Sequence, residues 1–316
     1  MKVKFWGVRG TIPTPVSSED IEAKIVDMLV SADDHPTPTP ESARDFLRSR
    51  TLFERGTIGG NTSCVEVLGG GGRLVIDAGS GIKDLGRSLM QEGFDQGTGR
   101  LDILMSHTHW DHIMGFPVFQ PAFVPGNQIR VHGGHSRLRQ RFRNQHHAFN
   151  FPITLEYMPA DIQFKKLTPQ KKRRLGPFGV TPFLLDHPGD SYAYRIELGD
   201  AVLIYATDAS YNDLRPEAMQ PYHDFYRDAD ALIFDAFFEL IESFEKSHWG
   251  HSSPFIGVDI ALHAGVKRLV LFHHDPFADD QKLEDLLEST QNYLEHVAPD
   301  STREVIIAHE GMVLTL

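Results

Sequence analysis

The chain has 316 residues, 41% of them hydrophobic, and a formal net charge of −12, which describes an ordinary soluble globular protein with ample core. Its one cysteine, Cys64, excludes an intramolecular disulfide and suits a reducing compartment. No stretch approaches the ~18 to 20 apolar residues of a membrane span, and the start "MKVKFWGVRG" has no apolar leader core, so the expected setting is cytoplasmic with no membrane contact.

Short β-branched runs follow one another along the chain: "VKFWG", "SCVEVL", "RLVIDAG", "LDILMS" and "IRVHG", then "VTPFLLD", "YAYRIEL", "AVLIYATD", "ALIFDA", "RLVLFHH" and "EVIIAHEG". The early runs are interrupted by residues 17 to 58. There "EDIEAKIVDMLVSA" places Ile21, Ile25, Met28 and Leu29 on one helical face. "HPTPTPESARDFL" then supplies a Pro-rich stop and a second helix capped near Thr39 or Ser42. We expect a helical insertion covering part of the core. The later runs alternate with helical patterns, "SPFIGVDIALHAG" and "DQKLEDLLESTQNYLEHV". Close early strands and alternating later ones predict two sheets with helices packed outside.

Charge is uneven. Residues 130 to 174 hold eleven Lys or Arg against Glu156 and Asp161, a net of +9 that leaves −21 for the remainder. A basic segment in an acidic chain suggests an anionic ligand nearby, or simply a solvated face. Within it, "RLRQRFRNQHHAFNF" suits either a grip on a nucleic-acid backbone or an amphipathic surface helix with Phe142 and Phe149 inward. The glycine-rich "GGNTS" and "GGGGR" lack the Gly-Lys-Ser/Thr of a phosphate loop and read as tight turns. Arg9 is expected to serve structure.

The chemistry concentrates in "SHTHWDH", residues 106 to 112, directly after an apolar run. Imidazoles and a carboxylate in that spacing are metal ligands, of the kinds that suit zinc. His107 and His109 can face one ion, and Asp111 and His112 a neighbour. Four ligands do not complete two sites. His187, Asp208 and His273 each end a strand-like run and supply the rest. Five histidines and two aspartates fit two adjacent metals that share a carboxylate, the two-metal arrangement for hydrolysis.

"SHTHWDH" with His187, Asp208 and His273 resembles the metallo-β-lactamase-fold hydrolases, nearly from end to end of the chain. "FWGVRG", "GGNTSCVEV" and "LVIDAGSG" resemble the phosphodiesterase-like branch, which includes RNase Z and cyclic-nucleotide phosphodiesterases. The departure is the insertion at 17 to 58. The resemblance implies that one zinc takes His107, His109 and His187. The second then takes Asp111, His112 and His273, with Asp208 bridging; Mn2+ or Fe2+ also suit these donors. It implies that Asp77 steadies the His-x-His loop. It also selects His273 over the adjacent His274 as the last ligand. His109 stands where redox members of this fold carry a carboxylate, and Cys64 lies away from every ligand position, which sets aside the diiron oxidoreductases and the cysteine-ligated lactamases. "HWGHSS" resembles the branch's His-Ser/Thr motif, so His251 matches a general acid or phosphate contact. Asp235 and Glu239 are carboxylates that can orient it, His248 is a nearby competitor, and capping of the helix that follows is its structural alternative.

The expected fold is therefore an α+β four-layer αββα sandwich, a single domain over 1–316 with the insertion at 17–58. The expected activity is dinuclear-zinc hydrolysis of a cyclic nucleotide or other small phosphodiester, with Asp111 and His251 as catalytic residues. Alternatives are an RNA 3′-end endonuclease binding nucleic acid through residues 130–174, a carboxylic ester, lactone or thioester hydrolase, and a non-catalytic binding module. The last would be expected to lose ligands or His251, and all are present. A homodimer is compatible with the sequence.

Overall fold

The computed structural model describes residues 1–31 and 39–316. The first sheet begins with β1 (Lys2–Gly7), β2 (Cys64–Gly69), β3 (Gly72–Ile76), β4 (Arg100–Met105), β5 (Gln128–Gly133) and β6 (Asp161–Lys166). The second comprises β7 (Arg173–Leu175), β8 (Phe178–Leu185), β9 (Ser191–Leu198), β10 (Ala201–Ala206), β11 (Ala231–Asp235), β12 (Arg268–Phe272) and β13 (Glu304–Ile307). The chain then returns to the first sheet as β14 (Val313–Thr315), antiparallel to β1 with Lys2 opposite Thr315. Among the described residues the sheets have the orders β14-β1-β2-β3-β4-β5-β6 and β13-β12-β11-β10-β9-β8-β7.

Alternation along the strands builds the layers. Leu74 and Ile76 of β3 face the core between the sheets, where Phe5, Tyr205 and Phe272 meet. Val75 points the other way, with Ile103, Met105, Ile129 and Val131, onto an outer helical layer. The expected αββα sandwich is what forms.

The helices are, in chain order, α1 (Ser18–Val30), α2 (Pro40–Arg48), α3 (Leu52–Arg55), α4 (Ile82–Met90), α5 (Trp110–Ile113), α6 (Leu138–Gln145), α7 (Pro216–Tyr226), α8 (Leu240–Glu245), α9 (Pro254–Ala264) and α10 (Asp280–Val297). Ile82, Leu85 and Leu89 seat α4 on the first sheet, and Ile256, Val258 and Ile260 bury α9 on the second. Among the described residues, no helix is long and apolar enough to cross a membrane.

The insertion is helical and reaches the core only at its end, where Phe53 and Ile58 join the buried cluster, while α1 and α2 do not cover it. Ser17 and Thr39 cap α1 and α2 through reciprocal bonds with Asp20 and Ser42. Neither helix has a buried residue, and Ile21, Ile25 and Leu29 are 50%, 53% and 68% exposed. An apolar stripe specifies a face, not what that face meets. The contacts instead run through Phe53 of α3, which is buried, and through Lys24, which pairs with Asp280 at 3.1 Å and donates to the Phe53 carbonyl. The Pro-rich stop at 35–38 lies outside the described residues.

Two smaller expectations resolve here. Gly70 and Gly71, with φ of 57° and 74°, form the tight turn between β2 and β3. Arg9 is buried and structural, donating to the carbonyls of Gly59, Asp275 and Ala278.

Candidate metal centre

The chemistry-bearing residues follow the carboxyl ends of strands that run in one direction. Asp77 follows β3, His107 follows β4, His187 follows β8, Asp208 follows β10, Asp235 ends β11 and His273 follows β12. Ligands gather at that end of such sheets. Asp77, Asp208 and His273 adopt positive φ of 61°, 56° and 60°, as does the β-branched Thr11 at 67°. Left-handed backbone is uncommon for such residues, and it turns their side chains inward where the strands stop.

Two groups result. The ligand atoms of His107, His109 and His187 lie within 4.8 Å of one another, and so do those of Asp111, His112, Asp208 and His273. Asp208 joins the groups: its Oδ1 is 3.8 Å from His107 Nε2, 4.0 Å from His187 Nε2 and 3.4 Å from His273 Nε2, while Oδ2 is 3.2 Å from His112 Nε2. The structure thus brings together all seven proposed ligands. His274 is turned away, its Nε2 donating to the Ala308 carbonyl at 3.0 Å.

Hydrogen bonds at the far ring nitrogens fix which nitrogen faces inward. His112 Nδ1 donates to Asp77 at 2.8 Å, and His187 Nδ1 donates to the Gly250 carbonyl at 2.8 Å. The approach of Gly250 is so close that a β-carbon there would sit 2.2 Å from His187 Nδ1, and its φ of 86° also suits glycine. Ser106 Oγ donates to Asp77 at 2.7 Å and lies 3.1 Å from His107 Nδ1. His107 Nε2 is then left buried with no hydrogen-bond partner. His109 Nδ1 and His187 Nε2 stand 3.1 Å apart, and His112 Nε2 and His273 Nε2 stand 3.3 Å apart. Nitrogens about 2.0–2.1 Å from a tetrahedral ion are roughly 3.3 Å from each other. An orphaned buried nitrogen and paired nitrogens at that spacing fit a metal.

Electrostatics agree. Burial and the neighbouring His112 hold His107 well below its usual pKa, which keeps a neutral ligand. Burial alone would raise the Asp208 carboxyl, but His273, His112 and His107 hold it well below the usual carboxylate range. Burial opposes charge on His273 as well, yet Asp208 and Asp111 push it up to about 8. The carboxylates thus stay ionised against surrounding imidazoles, and a divalent cation compensates that charge more fully.

Asp77 anchors the arrangement. It accepts from the Ser106 amide at 2.8 Å, Ser106 Oγ at 2.7 Å, His112 Nδ1 at 2.8 Å and Tyr205 OH at 2.8 Å. Asp77→Asn turns part of that acceptor into a donor facing Nδ1–H. Metal affinity, measured by chelator competition, is expected to fall about 10- to 100-fold with the fold retained. Unchanged affinity would contradict the anchoring role.

His251 lies beside the two groups. Its Nδ1 donates to Asp235 at 2.9 Å and is 3.9 Å from Asp208 Oδ1, while Phe237 stacks on the ring at 4.5 Å and 14°. Asp235 also accepts from the Asp208 amide at 2.9 Å. The orienting carboxylate is therefore Asp235; Glu239 instead caps α8. Ser253 takes the cap position of α9, and His248 is exposed. Sequence reasoning did not find the Thr11 amide, which donates to Asp111 Oδ2 at 2.7 Å, nor Phe237 or Tyr205. Thr11 and Asp111 are 100 positions apart, and no local pattern joins them.

The Beta-lactamase superfamily domain family matches residues 72–274. A curated relative, the Ribonuclease Z of Thermoplasma acidophilum, is 26% identical over 266 residues, spanning 68% of this chain and 83% of its own length. Among solved structures, the metallo-beta-lactamase fold protein YhfI from Bacillus subtilis superposes with a TM-score of 0.65 at 21% identity, over 99% of this chain and 98% of its own. Unliganded yeast PDE1 gives a TM-score of 0.62 at 15% identity, over 100% and 99% of the two chains.

Proposed function

Because the chain belongs to the beta-lactamase superfamily, we propose that it is a dinuclear-zinc hydrolase of small phosphodiesters. That it is a metal-dependent hydrolase rests on the family and its relatives; the metal, the ligand roles and the substrate are our reading. We take residues 1–316 as one domain, a reading supported by the pairing of β1 with β14. His107, His109 and His187 would hold one ion and Asp111, His112 and His273 the other, with Asp208 shared. Nitrogen-rich donor sets favour zinc over magnesium or calcium. When bound, the pair of ions supplies an activated water and charge for the phosphoryl oxygens.

The observation that carries the phosphodiester reading is His251. It stands outside the seven ligands, beside Asp208, with one ring nitrogen fixed by Asp235 and the ring face held by Phe237. Nε2 is then the nitrogen that delivers a proton to a leaving alkoxide or contacts a non-bridging oxygen. Asp111 is held by the Thr11 amide and by His273 Nε2 at 3.0 Å, so its carboxylate keeps one orientation.

Substrate size follows from charge. Part of the basic segment is spent within the protein: Arg143 and Arg139 reach Glu156 at 2.9 and 3.9 Å, and Lys172 reaches Glu197 at 2.5 Å. Of Phe142 and Phe149, the two expected to face inward, Phe142 is buried but Phe149 is 92% exposed, so only the first packs inward. The remaining −21 repels long polyanions. A 3′,5′-cyclic mononucleotide should therefore be cleaved with a KM that changes by no more than about threefold between 50 and 200 mM salt, as one phosphate contact requires. A tRNA precursor assayed beside it tests the rival reading. Steeply salt-sensitive cleavage of the precursor, with the mononucleotide untouched, would establish the endonuclease instead.

A further inference from the structure

We infer that Arg141 is a substrate-binding residue that contacts an anionic phosphoryl oxygen at the rim of the metal centre. This rests on the phosphodiesterase reading and adds to it a residue that neither the ligand set nor His251 includes.

Arg141 lies on α6, whose Leu138 and Phe142 are buried and fix the helix on the first sheet. Its Nη1 donates to Thr108 Oγ1 at 3.1 Å, and Thr108 is the residue between His107 and His109. The guanidinium is half-buried at the edge of the centre. Its neighbours on the helix, Arg139 and Arg143, both reach Glu156. Among the described residues, no carboxylate lies within 4.0 Å of the Arg141 nitrogens. Thr108 therefore uses one of its N–H donors, and the planar fork keeps others for an anion.

The cation also acts on its surroundings. Burial, opposed by the Asp190 carbonyl but helped by Arg141, holds His135 below its usual pKa. That histidine is neutral and does not compete for the anion. Arg141 approaches the centre from the first sheet beside His107 and His109, whereas His251 approaches from the second beside Asp208. A charge-assisted contact of this kind favours an anion and gives nothing to a neutral ester.

The oxygen belongs either to the scissile diester or to a neighbouring phosphate of the same substrate. Metal-loaded wild type, Arg141→Ala and Arg141→Lys separate these with two substrates. Bis(p-nitrophenyl) phosphate carries only the scissile group; thymidine 5′-(p-nitrophenyl phosphate) 3′-phosphate carries a second. Affinity for inorganic phosphate is measured in parallel by calorimetry. Arg141→Ala should keep its full metal content and weaken phosphate binding about 10- to 100-fold, with a matching rise in KM and partial recovery in Arg141→Lys. A loss with both diesters assigns the contact to the scissile group, and a loss with the second alone assigns it to the neighbouring phosphate. Unchanged phosphate affinity and unchanged KM for both diesters would overturn the inference. So would loss of metal together with activity, since Arg141 would then merely tie down the loop through Thr108. Failure of the phosphodiesterase reading shows separately, as wild-type enzyme that turns over neither diester, and the phosphate titration still reads Arg141.

Discussion

Replacing Asp208 by alanine is expected to abolish turnover and to reduce the metal content of the loaded protein to one ion or none per chain. In the proposed centre the two ligand groups share this one carboxylate. Oδ2 is 3.2 Å from His112 Nε2, and Oδ1 is 3.4 Å from His273 and 3.8 Å from His107. Without it, the first group has three imidazoles and no carboxylate, and the second has only Asp111 to balance a divalent ion. The backbone adds a smaller cost, because Asp208 has φ of 56° and alanine resists that region by roughly 1–2 kcal/mol. Asp208→Asn controls for this, since asparagine tolerates left-handed backbone and removes only the charge. Both variants should remain folded by circular dichroism and be inactive. Turnover within tenfold of wild type in either would remove Asp208 from the centre.

His251→Ala is expected to retain its metals and lose roughly 10² to 10⁴ in turnover, the scale of a positioned acid or base. The split between metal content and rate is the informative part. His251 faces Asp235 rather than the ligand nitrogens, and Phe237 holds its ring at 4.5 Å. Its hydrogen bond goes to Asp235, although its ring also stacks on that of His273 at 5.2 Å. Asp235→Asn should give a related loss with a wider reach, because Asp235 also accepts from the Asp208 amide. Elemental analysis beside steady-state assays decides between the roles. Metal content that fell with activity in His251→Ala would make His251 a ligand, consistent with its place near Asp208 and His273.

The strands and their functional ends were legible because each ligand sits at a sequence boundary, where a β-branched run stops at a histidine or aspartate. β6 was not legible: four of the six residues of "DIQFKK" are polar, and the strand pairs at a sheet edge. β7 and β14 are three residues each, too short for a pattern. The amphipathic stripe of α1 read correctly as helix and incorrectly as cover, since periodicity does not say whether a partner exists. His273 and His274 are adjacent and chemically alike, so the residues alone left both open. In space, His274 donates to Ala308 while His273 lies 3.0 Å from Asp111. The Asp235–His251 bond, the Thr11 amide and the Arg141–Thr108 contact join segments brought together only by the finished fold.

The most direct measurement is the metal content of the wild-type chain after loading with zinc and removal of excess, by elemental analysis against protein concentration. Seven ligand atoms in two groups joined by Asp208 predict two ions per chain, bound with matched phosphodiesterase activity. One ion or none per chain, in folded protein, would contradict the dinuclear centre.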